Sequence, residues 1–535
     1  MKKYCIAFIL LVSTFVFGQK KAPDNWQLMN PESDKVIGIG SEEAYKLLKD
    51  KTPKKVIVAV IDGGVDIEHE DLKNVIWTNV NEIPDNGIDD DKNGYVDDVH
   101  GWSFIGGKNG DINYEATEVA RNYNRLNNKY KDADTNTFSS VQKNEYAEYL
   151  KIKTAFLDDQ NQKKQQLLSI NVIADFLLKV KKQGDGSLTK ESFNAFVPQT
   201  DMDKRLKRFL KLTFAFGLDV NEMDSQISEG KNQLENMLTY NSINTDSIRS
   251  YMVGDDLNNN NERYYGNNHV KGPDALHGTH VAGIIAAIRD NNIGIKGVAN
   301  NVEIMVVRAV PNGDERDKDI ANAIYYAVNN GATIINMSFG KDCSPDKKNV
   351  EDAVKYAVSK DVLLVHAAGN ESANNDLKLT YPNRVTNANS VIPNWVEVGA
   401  SSYKPGKKLI GAFSNYSKNR VDLFAPGVDI YSTVADNKYK IESGTSMAAP
   451  VVTGVSAVLR GYFPELKAEQ IREVLMKTVF VYNKPVEVPG LFKNKIIKKL
   501  GRKPIKNKVS ELCISGGIVN LNNAVIELLK FNSPK

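Results

Sequence analysis

Cysteine is almost missing from this chain, with three residues in 535, too few for a disulfide scaffold. Cys5 falls in the N-terminal leader described below, so Cys343 and Cys513 remain for one bridge at most. An excess of one charge is missing as well. Lys and Arg number 69 against 66 Asp and Glu, and without Lys2 and Lys3 the balance is 67 − 66 = +1, so no nucleic acid or other polyanion is implied as a partner. Also absent is an apolar run of the roughly 20 residues that cross a bilayer. The longest run, Tyr4 to Gly18, is broken by Ser13 and Thr14, and no transmembrane segment is expected in the mature chain. Histidine is scarce, at six residues, which leaves few ligands for a zinc site.

What is there is a globular composition, 41% hydrophobic and 25% charged, which excludes collagen-like and fully disordered chains. Lys2 and Lys3 precede the apolar run, and Val16 and Gly18 are small enough for the positions before a cleavage point. Residues 1–18 therefore read as a secretory signal peptide rather than a membrane anchor. The product is expected in a periplasm, on a surface or outside the cell, and the short charged signal suits a bacterium.

After a short segment, 19–54, the run Val56-Ile57-Val58-Ala59-Val60-Ile61 has the continuous apolar character of a strand buried on both faces. Alternation resumes near Gly272, with helix 277–289, strand 303–309, helix 317–330, strand 332–337, helix 349–359 and strand 361–366. Short strands near 395–400 and 421–425 follow, then helices from Thr445 to about Gly461 and over 467–478. This punctuation predicts an α/β fold, a doubly wound and mostly parallel sheet with helices on both faces. An insertion at about 79–271 interrupts it. Its first part, 79–111, is crowded with Asp, Asn and Gly; its second, 113–250, has helical periodicity carried by Phe156, Leu167, Leu168, Ile173, Phe176 and Leu177. Residues 481–512 are rich in Lys and read as a solvated loop.

Three segments carry chemistry. Asp62 ends the first strand and is followed by Gly63-Gly64; the carboxyl ends of strands are where open parallel sheets form sites, although Asp-Gly-Gly also makes an ordinary turn. His277 and His280 lie in His277-Gly278-Thr279-His280-Val281-Ala282-Gly283, a helix whose small residues allow close packing. They lack the i, i+4 spacing and the Glu of a zinc helix. Ser446 opens a helix in Ser443-Gly444-Thr445-Ser446-Met447-Ala448-Ala449-Pro450, where the helix dipole favours developing negative charge. A Gly-Thr-Ser can equally be a plain cap.

Together, the segments around Asp62, His277 and Ser446 closely resemble the three signatures of subtilisin-like serine proteases, in that family's order Asp, His, Ser. A fourth, Val362-Leu363-Leu364-Val365-His366-Ala367-Ala368-Gly369-Asn370, looks like the family's strand ending in the oxyanion-hole Asn. Ile335-Asn336-Met337-Ser338-Phe339-Gly340 resembles the strand that pairs with extended substrate, which makes Ser338 and Gly340 candidate substrate contacts. The resemblance implies a peptidase domain over 55–530, a catalytic triad of Asp62, His277 and Ser446, oxyanion stabilisation by Asn370, an acyl-enzyme, protein or peptide substrates, and no cofactor for the chemistry itself. It covers roughly 36–78, 272–478 and 514–530, the last through Gly516-Gly517-Ile518-Val519-Asn520.

The chain departs from the family pattern in two places. Asp62 and His277 are 277 − 62 = 215 positions apart, so the insertion enters beside the site, as a roof, a lid or a structural appendage. Residues 19–54 are too few for a separate inhibitory propeptide domain. Within the acidic stretch, Asp89, Asp91, Asn93, Gly94 and Asp97 match positions 1, 3, 5, 6 and 9 of a calcium loop, while His100 stands where that loop wants Glu. Asp89, Asp91, Asn93 and Asp97 are thus candidate ligands of a structural calcium, and a turn-rich loop is the other reading. Two rival functions remain open on these residues, a catalytically silent binding or scaffold module and a metallohydrolase using His277, His280 and carboxylates.

Overall fold

Val58, Ala59, Val60 and Ile61 have no exposed surface at all, as a strand with neighbours above and below requires. This strand, β1 (Val56–Asp62), lies inside a nine-stranded sheet. Its companions are β2 (Gly101–Ser103), β3 (Val302–Arg308), β4 (Ile334–Met337), β5 (Leu363–Ala367), β6 (Trp395–Ser401) and β7 (Leu423–Pro426). β10 (Phe480–Val481) and β13 (Gly517–Ile518) close one edge. The spatial order is β10-β13-β7-β6-β5-β4-β1-β3-β2. Every neighbouring pair is parallel except β10 with β13. The computed structural model describes residues 22–215, 220–490 and 505–531; the expected signal peptide, 1–18, lies outside them.

Successive residues of a strand face opposite sides. Ala59 and Ile61 pack with helices α3 (Asp317–Asn329) and α4 (Lys347–Ser359). Val58, Val60 and Asp62 therefore face the other side, where α2 (Leu276–Ala286) and α5 (Thr445–Tyr462) pack against each other and the sheet. This parity puts the Asp62 carboxylate on the face that carries His277 and Ser446. A helix α1 (Ser41–Leu48) precedes β1, and α6 (Ala468–Lys477) and α7 (Leu521–Phe531) complete the helices of this unit. The observed ends of the strands and helices fall within three residues of the expected ones.

The chain separates into two compact units, one of residues 23–113 and 246 onward, the other centred on 114–245. The flanks of the expected interruption at 79–271 thus belong to the sheet unit, for physical reasons visible at both ends. Gly101–Ser103 adds β2 beside β3. Arg249, 1% exposed, forms a buried ion-paired centre with Asp255 (2.8 Å) and Asp319 (2.7 Å), to which Tyr265 donates its hydroxyl at 2.6 Å. A buried guanidinium is tolerated only when so surrounded.

The second unit is helical. Its longest helix, Ser140–Gln183, begins at a capping box of Ser139 and Gln142. Ile173, Phe176 and Leu177 pack with Phe193, Leu206 and Met223 in a separate core. Phe156 joins Ala116 and Ala120. Leu168, expected on the apolar face, is 54% exposed; the period places it one residue off the buried stripe.

The Lys-rich 481–512 stretch is more than the solvated loop expected. Among its described residues, β11 (Val486–Glu487) and β12 (Lys506–Asn507) pair antiparallel, and Val486, Val488 and Val509 are buried. Residues 491–504 of it lie outside the described residues. β8 (Ile430–Val434) and β9 (Lys438–Glu442) form a hairpin that the sequence reading did not anticipate.

Candidate active site

Three adjacent strands, β1, β4 and β5, deliver Asp62, Ser338 and Asn370 to one edge of the sheet, the carboxyl edge. The two helices behind them deliver His277 and Ser446. Helix α2 reaches β1 because Gly278 has no side chain; a Cβ there would stand 2.1 Å from the Gly64 carbonyl oxygen. That approach lets His277 Nδ1 donate to both Asp62 oxygens, at 2.8 and 3.0 Å. Asp62 is buried while the His277 ring is 43% exposed, so the imidazole is gripped from within and open from without. Loss of hydration pulls the His277 pKa down, but the Asp62 carboxylate, with Glu442 and Asp274 beyond it, outweighs this and leaves it above the ordinary imidazole value.

His280, one turn on, is wholly buried and donates from Nε2 to the Lys440 carbonyl at 3.1 Å. Burial drives its pKa down to about 3. The two histidines therefore do not converge on a common ligand position.

Ser446 lies in the first turn of α5. Its hydroxyl donates to the Ser338 carbonyl at 3.0 Å rather than to His277, and the Ser338 hydroxyl donates back to the Ser446 carbonyl at 3.0 Å. That carbonyl is available because Pro450, four residues on within the helix, has no N–H to offer it. The reciprocal serine pair fixes the Ser446 backbone while leaving its hydroxyl one rotation from other partners. Sequence reasoning quoted Pro450 and Ser338 without seeing this link, whose signal was the four-residue spacing from Ser446 to Pro450.

Asn370 is held by its oxygen. Its Oδ1 accepts the Thr445 N–H at 2.9 Å and the Thr445 hydroxyl at 3.1 Å, so the amide nitrogen is the end left to donate toward the start of α5. Thr445 also takes the Gly369 N–H at 3.1 Å. Gly369 sits at φ +105°, and a Cβ there would strike Asn415 at 2.4 Å, which makes glycine the only fit. Ser338 is buried and Gly340 exposed.

In the acidic loop the four expected ligands do not all converge. Asp89 accepts the N–H groups of Asn93 and Gly94, and Asp97 those of Asn86 and Gly87. Asp91 instead meets Glu82 and Asp98, ligand oxygens of the three lying within 4.8 Å of one another. Asn93 approaches the same group through its amide nitrogen, which donates to Asp91 and Asp98. Asp98 is wholly buried, and burial pushes its carboxyl up to about 6. A set of oxygen donors suits a hard cation such as calcium. Glu82 and Asp98 were not among the expected ligands, since their part depends on a turn that returns the chain.

No disulfide joins Cys343 and Cys513. No helix among the described residues is long and apolar enough to cross a membrane.

The chain is 44% identical over 184 residues to a thermophilic serine proteinase of a Bacillus strain, covering 34% of this chain and 42% of that one. It is 39% identical over 203 residues to alkaline elastase YaB of another Bacillus strain, covering 38% and 49%. The chain thus matches under half the length of either curated relative. A cold-adapted subtilisin-like serine proteinase of known structure is 32% identical, with 38% of this chain and 68% of that one covered at a TM-score of 0.33. A model of the subtilase family matches residues 53–508, and the chain belongs to that family.

Proposed function

We propose that this protein is an exported serine endopeptidase acting on protein or peptide substrates through Asp62, His277 and Ser446. The observation that carries the reading is the Asp62–His277 pair: a buried carboxylate fixes Nδ1–H, which leaves Nε2 on the exposed side of the ring as a base. Once substrate displaces the Ser338 contact, the Ser446 hydroxyl turns to His277, loses its proton to Nε2 and attacks the scissile carbonyl. Asn370 Nδ2 and the Ser446 N–H receive the oxyanion. His277 then protonates the leaving amine, and water, deprotonated by the same ring, releases the acyl group. Asp62 remains a carboxylate throughout and stabilises the imidazolium. Backbone groups of Ser338 and Gly340 hold the extended substrate beside Ser446.

The subtilase match and the named proteinases support this chemistry over the metallohydrolase reading, and the intact Asp62, His277, Asn370 and Ser446 support it over the silent-module one. A serine-directed covalent inhibitor should label Ser446 in the protein beginning at Gln19 and stop casein cleavage, which EDTA should not do at the chemical step. Unlabelled Ser446, or cleavage surviving Ser446→Ala, would overturn the reading. For the loop we infer a structural calcium held by Glu82, Asp91 and Asp98, of which only Asp91 belongs to the expected set.

A further inference from the structure

Two segments leave the candidate site and meet again. Segment 309–317 starts where the Ala309 and Val310 N–H groups bond the Asp62 carbonyl, at 3.0 and 3.2 Å, and ends at the first residue of α3. Segment 338–341 starts at the Ser338–Ser446 pair. At the far end the Lys341 side chain, 1% exposed, joins them. Its ammonium donates to the Glu315 carbonyl at 2.7 Å and pairs with Asp317 Oδ1 at 2.9 Å. Asp317 is held in turn by the Ser344 hydroxyl and the Asp346 N–H, both at 2.9 Å, at a helix N-terminus that favours its charge. The Lys341 backbone is clamped on its other side by two hydrogen bonds of 2.9 Å with Tyr381.

Burying a lysine this fully strips its hydration, a cost recovered only through a charge partner and good hydrogen bonds. An apolar residue would fill the same space at less cost, so the brace serves position. Three residues of extended chain, about 10 Å, separate Ser338 from Lys341.

Resting on the peptidase reading above, in which Ser338 and Gly340 hold extended substrate, we infer that Lys341 is a positioning residue for substrate length: by tying 338–341 to 309–317 it fixes the stretch of chain that would lie along the third and more distant acyl-side residues of the substrate. Neither the resemblance nor Ser338 and Gly340 account for this role, because it belongs to a side chain that never meets the scissile bond.

The test compares kcat/KM on two peptide substrates, one with a single acyl-side residue and one with four, for the full chain and for Lys341→Met, Lys341→Arg and Asp317→Asn. Each protein is first titrated with a small serine-directed covalent inhibitor. The expectation is that Lys341→Met and Asp317→Asn lose tenfold to a hundredfold on the long substrate, the scale of a 1 Å misplacement. The loss should fall mainly in KM, with about twofold or less change on the short substrate and in inhibitor labelling, and Lys341→Arg should recover part of it. Equal losses on both substrates, or none on either, overturn the inference. Should Lys341→Met fail to fold, the Asp317→Asn comparison decides by the same criterion. Failure of the inhibitor to label the unaltered protein would instead overturn the peptidase reading, and this inference with it.

Discussion

The sheet unit and the 114–245 unit bury apolar surface in different ways. In the first, whole strands vanish from solvent: Leu363, Leu364 and Val365 of β5 are 0% exposed, as are Trp395 and Val396 of β6. In the second, the helix Ser140–Gln183 hides one stripe and leaves Leu150, Leu157 and Leu168 at 44, 44 and 54% exposure. Buried polar groups differ as well. The sheet unit holds His366 against Glu397 at 3.0 Å, with the Trp395 N–H donating to the same carboxylate at 2.8 Å. Among the ion pairs of the helical unit are exposed ones such as Lys204–Asp201 at 3.1 Å, which contribute little. Precise chemistry needs side chains held without freedom, and only the first kind of packing supplies that.

If this contrast is right, changes of one atom in the sheet unit should exceed changes of a whole side chain in the other. Ser446→Ala should lower kcat on the order of a millionfold, as in subtilisin itself, with the melting temperature nearly unmoved by calorimetry. Phe176→Ala, at a side chain 1% exposed, should cost the helical unit about 3–5 kcal/mol. Peptide kcat/KM should change less than about twofold alongside that loss; a large fall would join the helical unit to the catalytic machinery and break the contrast. Asn370→Ala should lower kcat roughly 10²–10³-fold with KM retained, again the subtilisin magnitude.

pH sharpens the comparison further. His277 must be neutral to act as a base, and its pKa is held above the ordinary value chiefly by Asp62 against the pull of lost hydration. The acid limb of kcat/KM should therefore lie above about 6.5, and in the residual activity of Asp62→Asn it should move to lower pH. The smallest effect is expected at the acidic loop. Saturating calcium at about a hundred times its Kd would stabilise by about 2.7 kcal/mol, so EDTA should lower the sheet unit's melting temperature by a few degrees and calcium should restore it. Glu82→Gln should abolish that response without altering Ser446 labelling.

The order of strands and helices from β1 to α6, apart from β2 and the β8–β9 hairpin, was legible because apolar runs and 3.6-residue periods are local properties. The residues of the candidate site stood out too, as segments of distinctive composition at strand and helix ends. Two kinds of feature were not. The hairpin of β8 and β9 has Lys438, Lys440 and Glu442 on a strand only partly buried, so no continuous apolar run announces it. Glu82 and Asp98 gain a role only when the turn between them brings their carboxylates to Asp91.

The sequence by itself determined that this chain builds a parallel α/β sheet with Asp62, His277, Asn370 and Ser446 at element ends, because burial pattern and cap chemistry are written in neighbouring residues. Only the tertiary structure decided that Ser446 rests on Ser338, that Asn370 is oriented by Thr445, that Lys341 braces Asp317, and that Cys343 and Cys513 do not pair. The Ser446, Asn370 and cysteine relations span from 75 to 170 positions of chain. Even the shorter Lys341–Asp317 span crosses a helix and a strand, so the distance between the two side chains is set by how α3 and β4 pack and by nothing in their local sequence.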